Sequence, residues 1–252
     1  MLQDSPLISV ITPSYNSSKF ISNTIESVMN QTYTNWEMII VDDCSTDHTR
    51  ELLTAYAQKD ERIHVIFLKQ NSGAGAARNK ALEAATGRFI TFLDSDDLWV
   101  PEKLETQLQF MLDRNIAFSF TEYELMNEEG ERLNKTIHVP EKIDYHGLLK
   151  NTIIGCLTVM IDREKTGDFR MMNIKSRQDF VLWLAILKKG FTAYGLQKTL
   201  SIYRIVKGSI SSNKLNTAKK NWYVFRKIEK LSFPYALWCF IHYAFYAVKK
   251  RI

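Results

Sequence analysis

The sequence contains few of the features that mark secreted or membrane-spanning proteins. Only three cysteines occur in 252 residues, and Cys44, Cys156 and Cys239 are scattered without the spacing of a metal site. An odd, scattered set predicts no disulfide framework and indicates a reducing compartment. No apolar run reaches the roughly 18 residues of a spanning helix, and the first ten residues lack the basic and apolar regions of a signal peptide. We therefore expect a cytoplasmic protein.

Acidic residues are nearly absent from the last fifth of the chain, which carries the excess of positive charge. Residues 201–252 contain 11 lysines and arginines and one acidic residue, Glu229, whereas residues 1–200 contain 22 basic and 27 acidic residues. This asymmetry predicts a local electrostatic role for the C-terminal segment and argues against a nucleic-acid-binding surface. The length and ordinary composition suit one large domain, or one domain with an appendage.

Short apolar runs alternate with helical patterns along the first 114 residues. The apolar runs predict strands at 8–12, 36–41, 63–68 and 89–93, and the 3.6-residue periodicities predict helices at 20–31, 48–58, 76–85 and 102–114. This alternation predicts an α/β fold, a mostly parallel sheet with helices on both faces. Further on, the sequence predicts strands at 117–125, 153–161 and 199–205, a hairpin turn at 127–130 and a helix at 177–189.

Three carboxylates follow the fourth predicted strand directly. Asp94, Asp96 and Asp97 would lie at the carboxyl end of the sheet, where open α/β sheets bind ligands. Like charges at this spacing destabilise each other unless a cation lies between them. An oxygen-only set suits Mg²⁺ or Mn²⁺ rather than zinc. The alternative is a solvated loop whose aspartates cap the next helix, which Pro101 would begin.

Asp42 and Asp43 end the second predicted strand in the same way. In a parallel sheet these carboxylates would gather with those at 94–97 on one rim. A carboxylate there can accept hydrogen bonds from ribose hydroxyls or from N3–H of a uracil ring. Two acidic strand ends in one chain therefore favour a ligand site over two unrelated turns.

The turn Gly73-x-Gly75 resembles half of a dinucleotide-binding fingerprint. The third fingerprint glycine is replaced by Arg78, which disfavours a nicotinamide-dependent dehydrogenase. An arginine at this position can approach a diphosphate or pair with a rim carboxylate, unless it is simply an exposed helix residue.

Asp179 lies in the first turn of the predicted helix 177–189. A carboxylate there is favoured by the helix dipole, so it needs no function. If it faces an acceptor hydroxyl at the rim, it can also act as a general base.

The tail, residues 207–252, combines basic and aromatic residues. It is predicted to form helices at 214–231 and 235–248, and the second is followed by the basic residues 249–251. An apolar helix of this length is too short to span a bilayer but suits the interface beside anionic headgroups. The alternatives are a helical hairpin packed on the main domain, 1–206, or a dimer interface.

Five motifs in order, ISVITPSYN, WEMIIVDDCSTDHT, NSGAGAARN, FLDSDD and RQDFVLW, carry a family resemblance over residues 8 to about 211. Together they resemble the family-2 glycosyltransferases, inverting enzymes of the GT-A fold. The sequence is most similar to small bacterial enzymes that build cell-wall polymers such as teichuronic acid or capsule.

The resemblance implies roles for matching positions. Those that would bind the nucleotide-sugar are Pro13, Tyr15, Asp42, Asp43 (on the uracil), Arg78, Asp94, Asp96 and Arg204. The metal, Mn²⁺ or Mg²⁺, would be held by Asp96 and Asp97. The catalytic base would be Asp179, and Gln178 stands where the family commonly has glutamate.

The resemblance implies a metal-dependent inverting enzyme that moves a sugar from a UDP-sugar to a hydroxyl of a lipid-linked or growing cell-surface polysaccharide. It would work as a peripheral protein on the inner face of a bacterial membrane. Two alternatives remain open: a non-catalytic sugar-nucleotide-binding scaffold, and a nucleotidyltransferase. The stretch TPSYNSSKF has no glycine, which disfavours the phosphate loop of the latter.

Overall fold

One sheet organises the chain in a computed structural model that describes residues 5–206 and 214–249. The strands are β1 (Ile8–Ser14), β2 (Trp36–Asp42), β3 (Ile63–Phe67), β4 (Phe89–Phe92), β5 (Leu98–Trp99), β6 (Phe118–Met126), β7 (Arg132–Ile137), β8 (Lys142–Ile143), β9 (Met160–Asp162) and β10 (Ala193–Arg204). The helices are α1 (Ile21–Met29), α2 (Thr49–Lys59), α3 (Ala74–Ala84), α4 (Lys103–Asp113), α5 (Tyr145–Lys150), α6 (Arg163–Thr166), α7 (Gln178–Lys188), α8 (Lys214–Tyr223) and α9 (Phe233–Lys249).

The strand order is β3-β2-β1-β4-β9-β6-β10-β5, with β7 paired to β6 and β8 to β10. The first four strands are parallel, as predicted, and their carboxyl ends share one edge. Beyond β4 the sheet is mixed: β9 runs antiparallel to both of its neighbours, whereas β6 and β10 are parallel to each other. The predicted α/β fold with helices on both faces is confirmed.

Helices cover both faces of the parallel half, so alternate residues of each strand enter different cores. Ile8 and Val10 of β1 pack in a core that includes residues of α1, α2 and α4, whereas Ile11 packs in a second core with residues of α3 and α7. Every residue of β1 and β2 is buried. This explains why both strands are continuous apolar runs rather than alternating patterns.

Two regions differ from the sequence predictions. Residues 153–161, in which the sequence predicts a strand, contain only the start of one: a loop and a 3₁₀ turn (Cys156–Thr158) occupy most of the segment, and the short strand β9 begins at Met160. The final strand, predicted at 199–205, extends over twelve residues because β6 pairs with it along most of its length.

The tail packs on the main domain through part of its surface. After α8 a π-helical turn, Val224–Ile228, leads to α9, whose Ala236 and Cys239 are fully buried. The Tyr235 hydroxyl and His146 Nδ1 of α5 are hydrogen-bonded at 2.7 Å. No helix in the described part of the chain is both long and apolar enough to cross a membrane. Residues 250–252 and the segment 207–213 lie outside the described residues.

Candidate active site

The carboxylates after β4 lie in a tight turn. The N–H of Asp97 donates to the carbonyl of Asp94 at 3.1 Å. Asp97 is 1% exposed, and its Oδ1 accepts the N–H of Arg204 at 2.8 Å, whereas Asp94 and Asp96 are half-buried. The turn therefore directs Asp97 inward, and it leaves Asp94 and Asp96 partly open to solvent.

Arg204 holds this turn from β10. Its guanidinium Nε donates to the Asp96 carbonyl at 2.8 Å, and Nη1 donates to the Glu128 carbonyl in the β6–β7 hairpin at 3.2 Å. The side chain is 3% exposed. The residue predicted to bind the nucleotide-sugar is thus at the rim, where its guanidinium is engaged with backbone carbonyls.

The electrostatics of the turn suit a cation. Burial, together with the Asp94 carboxylate, raises the pKa of Asp96 to about 6. Burial and the Asp96 and Asp94 carboxylates also raise the pKa of Asp97 well above its usual value. A divalent cation would relieve this repulsion, and carboxylate oxygens are the donors that Mg²⁺ and Mn²⁺ prefer. Within the described residues no group of three or more His, Cys, Asp or Glu side chains forms a metal site by itself.

Arg78 of α3 reaches the same turn. Its Nη2 donates to Asp94 Oδ1 at 2.5 Å, and the side chain is 9% exposed. Burial disfavours the charged guanidinium and lowers the pKa of Arg78, but the attraction of the Asp94 carboxylate is larger. The pKa of Arg78 is therefore raised above its usual range. Arg78 Nε is buried without a hydrogen-bond partner in the described part of the chain. A buried donor in this state is what a bound ligand commonly satisfies.

Asp179 approaches the site from the start of α7, where Arg177 has a left-handed backbone (φ 68°). The start of α7 packs closely on the start of α3. A Cβ atom added to Gly75 of α3 would lie only 3.0 Å from Gln178 Cγ of α7. The Asp179 carboxylate is close enough to Arg78 to contribute to the raised pKa of that guanidinium. The fold therefore gathers Asp94, Arg78 and Asp179, which lie on three different elements.

The carboxylates after β2 are held firmly. Asp43 accepts the N–H groups of Ser72 and Gly73, each at 2.7 Å. Asp42 is fully buried, and its Oδ2 accepts from Arg50 Nε at 2.7 Å while Oδ1 has no partner in the described residues. Both carboxylates lie on the predicted rim, and Asp43 fixes the turn before α3.

The end of β1 supplies the remaining predicted positions. Pro13 is buried and pairs with Val41 of β2, whereas Tyr15, one residue beyond the strand, is 50% exposed. Tyr15 is thus open to solvent near the carboxyl ends of β1 and β2.

Sequence reasoning missed one buried side chain whose pKa is affected by the charges of this site. Burial in the hydrophobic core, together with the Asp94 and Asp179 carboxylates and against the effect of Arg78, raises the pKa of the Cys156 thiol well above its usual value. Cys156 belongs to the segment predicted as a strand, and no local motif marks it.

Solved structures identify the class of fold. S. aureus TarS 1–349 in complex with UDP-GlcNAc matches with a TM-score of 0.71 at 24% identity, over 88% of this chain and 65% of that chain. The mannosyltransferase PcManGT from Pyrobaculum calidifontis, in complex with GDP-Man and Mn²⁺, matches with a TM-score of 0.71 at 18% identity, over 95% and 69%. The present chain thus spans about two thirds of each. The fold is the GT-A-like α/β fold of glycosyltransferases.

Sequence comparisons identify the family. Residues 9–173 match the model of glycosyl transferase family 2. The putative teichuronic acid biosynthesis glycosyltransferase TuaG of Bacillus subtilis (strain 168) is 60% identical over 247 residues, 98% of each chain. The Escherichia coli UDP-Glc:alpha-D-GlcNAc-diphosphoundecaprenol beta-1,3-glucosyltransferase WfgD is 44% identical over 220 residues, 87% of this chain and 85% of that one. The chain belongs to glycosyltransferase family 2, so it is a glycosyltransferase, as the motifs predicted.

Proposed function

We propose that this enzyme transfers a sugar from a UDP-sugar to a hydroxyl of a lipid-linked or growing cell-surface polysaccharide, with inversion at the anomeric carbon. The observation that carries the proposal is the convergence of Asp94, Asp96 and Asp179 around Arg78. A nucleotide diphosphate needs cations and hydrogen-bond donors, and an acceptor hydroxyl needs a base. The rim of the sheet offers carboxylates for a cation, the donor Arg78 and a candidate base, Asp179, within one cluster.

In the proposed reaction Asp179 accepts the proton of the acceptor hydroxyl. The acceptor oxygen attacks the anomeric carbon from the face opposite UDP, and the bond to the diphosphate oxygen breaks with its electron pair leaving on UDP. A single displacement inverts the configuration. Arg78 and Arg204 keep the carboxylate turn in place through the contacts described above.

Mn²⁺ or Mg²⁺, held by Asp96 and the adjoining Asp97, would neutralise the charge that grows on the leaving diphosphate. The raised pKa of Asp96 supports this assignment, because the turn crowds negative charge that a cation would offset. Since the protein supplies no complete cage within the described residues, the remaining ligands would come from the diphosphate and water.

The relatives support the choice of substrates. WfgD is named for a UDP-glucose donor and a diphosphoundecaprenol-linked acceptor, and TuaG is named for teichuronic acid biosynthesis. At 60% and 44% identity over most of the chain, the same chemical classes are the natural candidates here: a UDP-sugar and a lipid-linked or polysaccharide hydroxyl.

We also propose that the enzyme is a peripheral membrane protein of the inner face, attached through its tail. Six of the eleven large apolar side chains that are exposed in the described residues lie between 223 and 245. Three of them, Trp238, Ile241 and Phe245, share one face of α9 and are called the apolar row below. The exposed basic residues Lys227 and Lys230 suit anionic headgroups.

Calorimetric titration of UDP, GDP and NAD, each with and without Mn²⁺, tests the donor assignment. We expect UDP to bind in a manganese-dependent way, followed by transfer from UDP-sugars to a diphosphoundecaprenol-linked sugar. Nucleotide binding without any turnover would favour the scaffold, and pyrophosphate release from a nucleoside triphosphate would favour a nucleotidyltransferase. Metal-independent NAD binding would refute the proposal.

A further inference from the structure

The loop 171–177, which leads into α7, is tied to α3 by an asparagine. Asn79 Nδ2 donates to the Met171 carbonyl at 2.9 Å, and Asn79 Oδ1 accepts the Met171 N–H at 2.7 Å. One side-chain amide therefore satisfies both the donor and the acceptor of a single backbone residue. This pair of hydrogen bonds fixes the beginning of the loop on the side of α3.

The end of the loop is docked on the same helix at Gly75. A Cβ atom added to Gly75 would lie 3.0 Å from Gln178 Cγ and 3.2 Å from Gln178 Nε2. The Gln178 side chain is held in this position, because it is 8% exposed and its Nε2 donates to the Ile174 carbonyl at 2.6 Å. Gly75 is helical and has no positive φ. The close approach of Gln178, rather than the conformation of the backbone, is therefore what requires glycine at this position.

The same side of α3 faces the carboxylate turn, residues 94–97. Gly75, Arg78 and Asn79 are three and four residues apart, so they lie on one side of the helix. Arg78 donates to Asp94 in the carboxylate turn. The turn before α3 is fixed in addition by Asp43. Helix α3 is thus a rigid spacer between the carboxylate turn and the start of α7.

The backbone at the start of α7 is strained. Arg177, the last residue of the loop, has a φ of 68°, which residues other than glycine rarely adopt. Such a conformation persists where the contacts on both sides of it fix the chain, and it is common at functional sites. Asp179 follows two residues later in the first turn of α7. The direction of its carboxylate therefore depends on how the end of the loop is held.

We propose that Gly75 and Asn79 are positioning residues that set the distance between the base, Asp179, and the site of the diphosphate. The inference rests on the proposed function and deepens it. In a single displacement the base must reach the acceptor hydroxyl while the diphosphate is held at the carboxylate turn. Docking the start of α7 on the helix that carries Arg78 holds both groups in one frame. Gly75 and Asn79 act through the loop and Gln178, not on the reacting atoms.

The first test adds a methyl group to the contact and then makes room for it. In Gly75→Ala the methyl group must displace Gln178 by a few tenths of an ångström, which moves the start of α7. We expect the affinity for UDP with Mn²⁺ to stay within about twofold of the wild type and kcat to fall about tenfold, because misplacing a catalytic group costs turnover rather than nucleotide binding.

The assay uses UDP-glucose and N-acetylglucosamine-diphosphoundecaprenol, the donor and acceptor for which WfgD is named. Gln178→Ala removes the Cγ atom that the new methyl group would meet. The double variant, Gly75→Ala with Gln178→Ala, should therefore recover kcat to within about threefold of Gln178→Ala alone. Such non-additivity is expected only for residues that act through their mutual contact.

Gly147→Ala is the matched control. Gly147 also lies in a helix, α5, and a Cβ atom added to it would lie 2.8 Å from Ile143 Cγ1. Helix α5 contacts the far end of α7, where Lys188 Nζ lies 5.6 Å from the centre of the Tyr145 ring. This variant should lower the thermal midpoint and leave kcat within about twofold of the wild type.

The second test needs no substrate. Asn79→Ala removes both hydrogen bonds to Met171, so amide hydrogen exchange should become faster in residues 171–179. Gly147→Ala should leave exchange in this segment unchanged. Asn79→Ala should also lower kcat while its affinity for UDP stays within about twofold of the wild type.

Three results would each overturn the inference while leaving the proposed function intact. They are a parallel loss of UDP affinity and kcat in Gly75→Ala, a failure of the double variant to recover kcat, and unchanged exchange of residues 171–179 in Asn79→Ala. In any of these cases the contacts on α3 serve packing alone. If the wild type transfers no sugar from UDP-sugars, the proposed function fails first, and the inference falls with it.

Discussion

The apolar row of α9 gives the most demanding test of membrane attachment. Trp238, Ile241 and Phe245 are 53%, 55% and 63% exposed although the opposite face of the helix is buried. We therefore propose the triple variant Trp238→Ser, Ile241→Ser and Phe245→Ser. Since Ala236 and Cys239 keep α9 on the main domain, the variant should fold normally and lose only the exposed apolar surface.

The size of the effect follows from those exposures. Complete burial of a large apolar side chain is worth about 1.5–3 kcal/mol, so the exposed half of each contributes about 1 kcal/mol when it enters the lipid interface. Three such side chains contribute about 3–4 kcal/mol, and each 1.4 kcal/mol is about a tenfold change in a partition constant. The triple variant should thus bind vesicles more than about a hundredfold less tightly.

Sedimentation with vesicles of neutral lipid, and of neutral lipid mixed with anionic lipid, measures this directly. The wild type should pellet preferentially with anionic vesicles, and salt should weaken the binding because the tail is basic. Leu133→Ser with Met172→Ser is the control, because these side chains are similarly exposed, at 45% and 44%, outside the tail. If the triple variant pellets like the wild type, or the wild type does not pellet at all, α9 is a packed hairpin or a contact between subunits.

Three further predictions concern the active site and the core. Asp179→Asn should bind UDP-sugar with unchanged affinity and lower kcat by about 10²–10⁴-fold, the usual worth of a general base, and near-native turnover would show that another group takes the proton. Asp96→Ala should abolish the manganese dependence of UDP binding in calorimetry, and a dependence that persists would remove Asp96 from the metal site. Lys103→Met removes the donation from Nζ to Gln107 Oε1 at both pH values, but it removes the cost of protonating the unfolded chain only near pH 7. The free energy of unfolding of the variant, relative to wild type, should therefore be larger at pH 7 than near pH 10 by several kcal/mol, as urea unfolding at the two pH values would measure. Burial lowers the pKa of Lys103 from 10.5 to about 7, so only the unfolded chain is protonated between these values, and stability falls as the pH falls through this window. An equal effect at both pH values would contradict this account.

The parallel half of the sheet was predictable because its signals are local. Each strand from β1 to β4 is a short apolar run followed by polar residues, and the helix between two strands has its own periodicity. The mixed half was less predictable. Residues 153–161 have the apolar composition of a strand, yet Trp99, Gln107 and Thr91 hold their carbonyls from 51 to 68 residues away in sequence. Such long-range hydrogen bonds leave no periodic trace in the segment that they shape.

The sequence alone determined the α/β alternation, the motifs of the family and the presence of carboxylates at the ends of β2 and β4. These features are visible in the sequence because each carboxylate directly follows the apolar run of its strand. Parallel strands then bring their carboxyl ends to one edge of the sheet. Only the tertiary structure decided what each carboxylate does: Asp97 turns inward to Arg204, Asp43 holds the turn before α3, and Asp94 pairs with Arg78. It alone divided α9 into a buried and an exposed face. The physical reason is that burial and pairing are set by groups that meet only after the chain has folded, and these groups lie too far apart in sequence for a local pattern to record them.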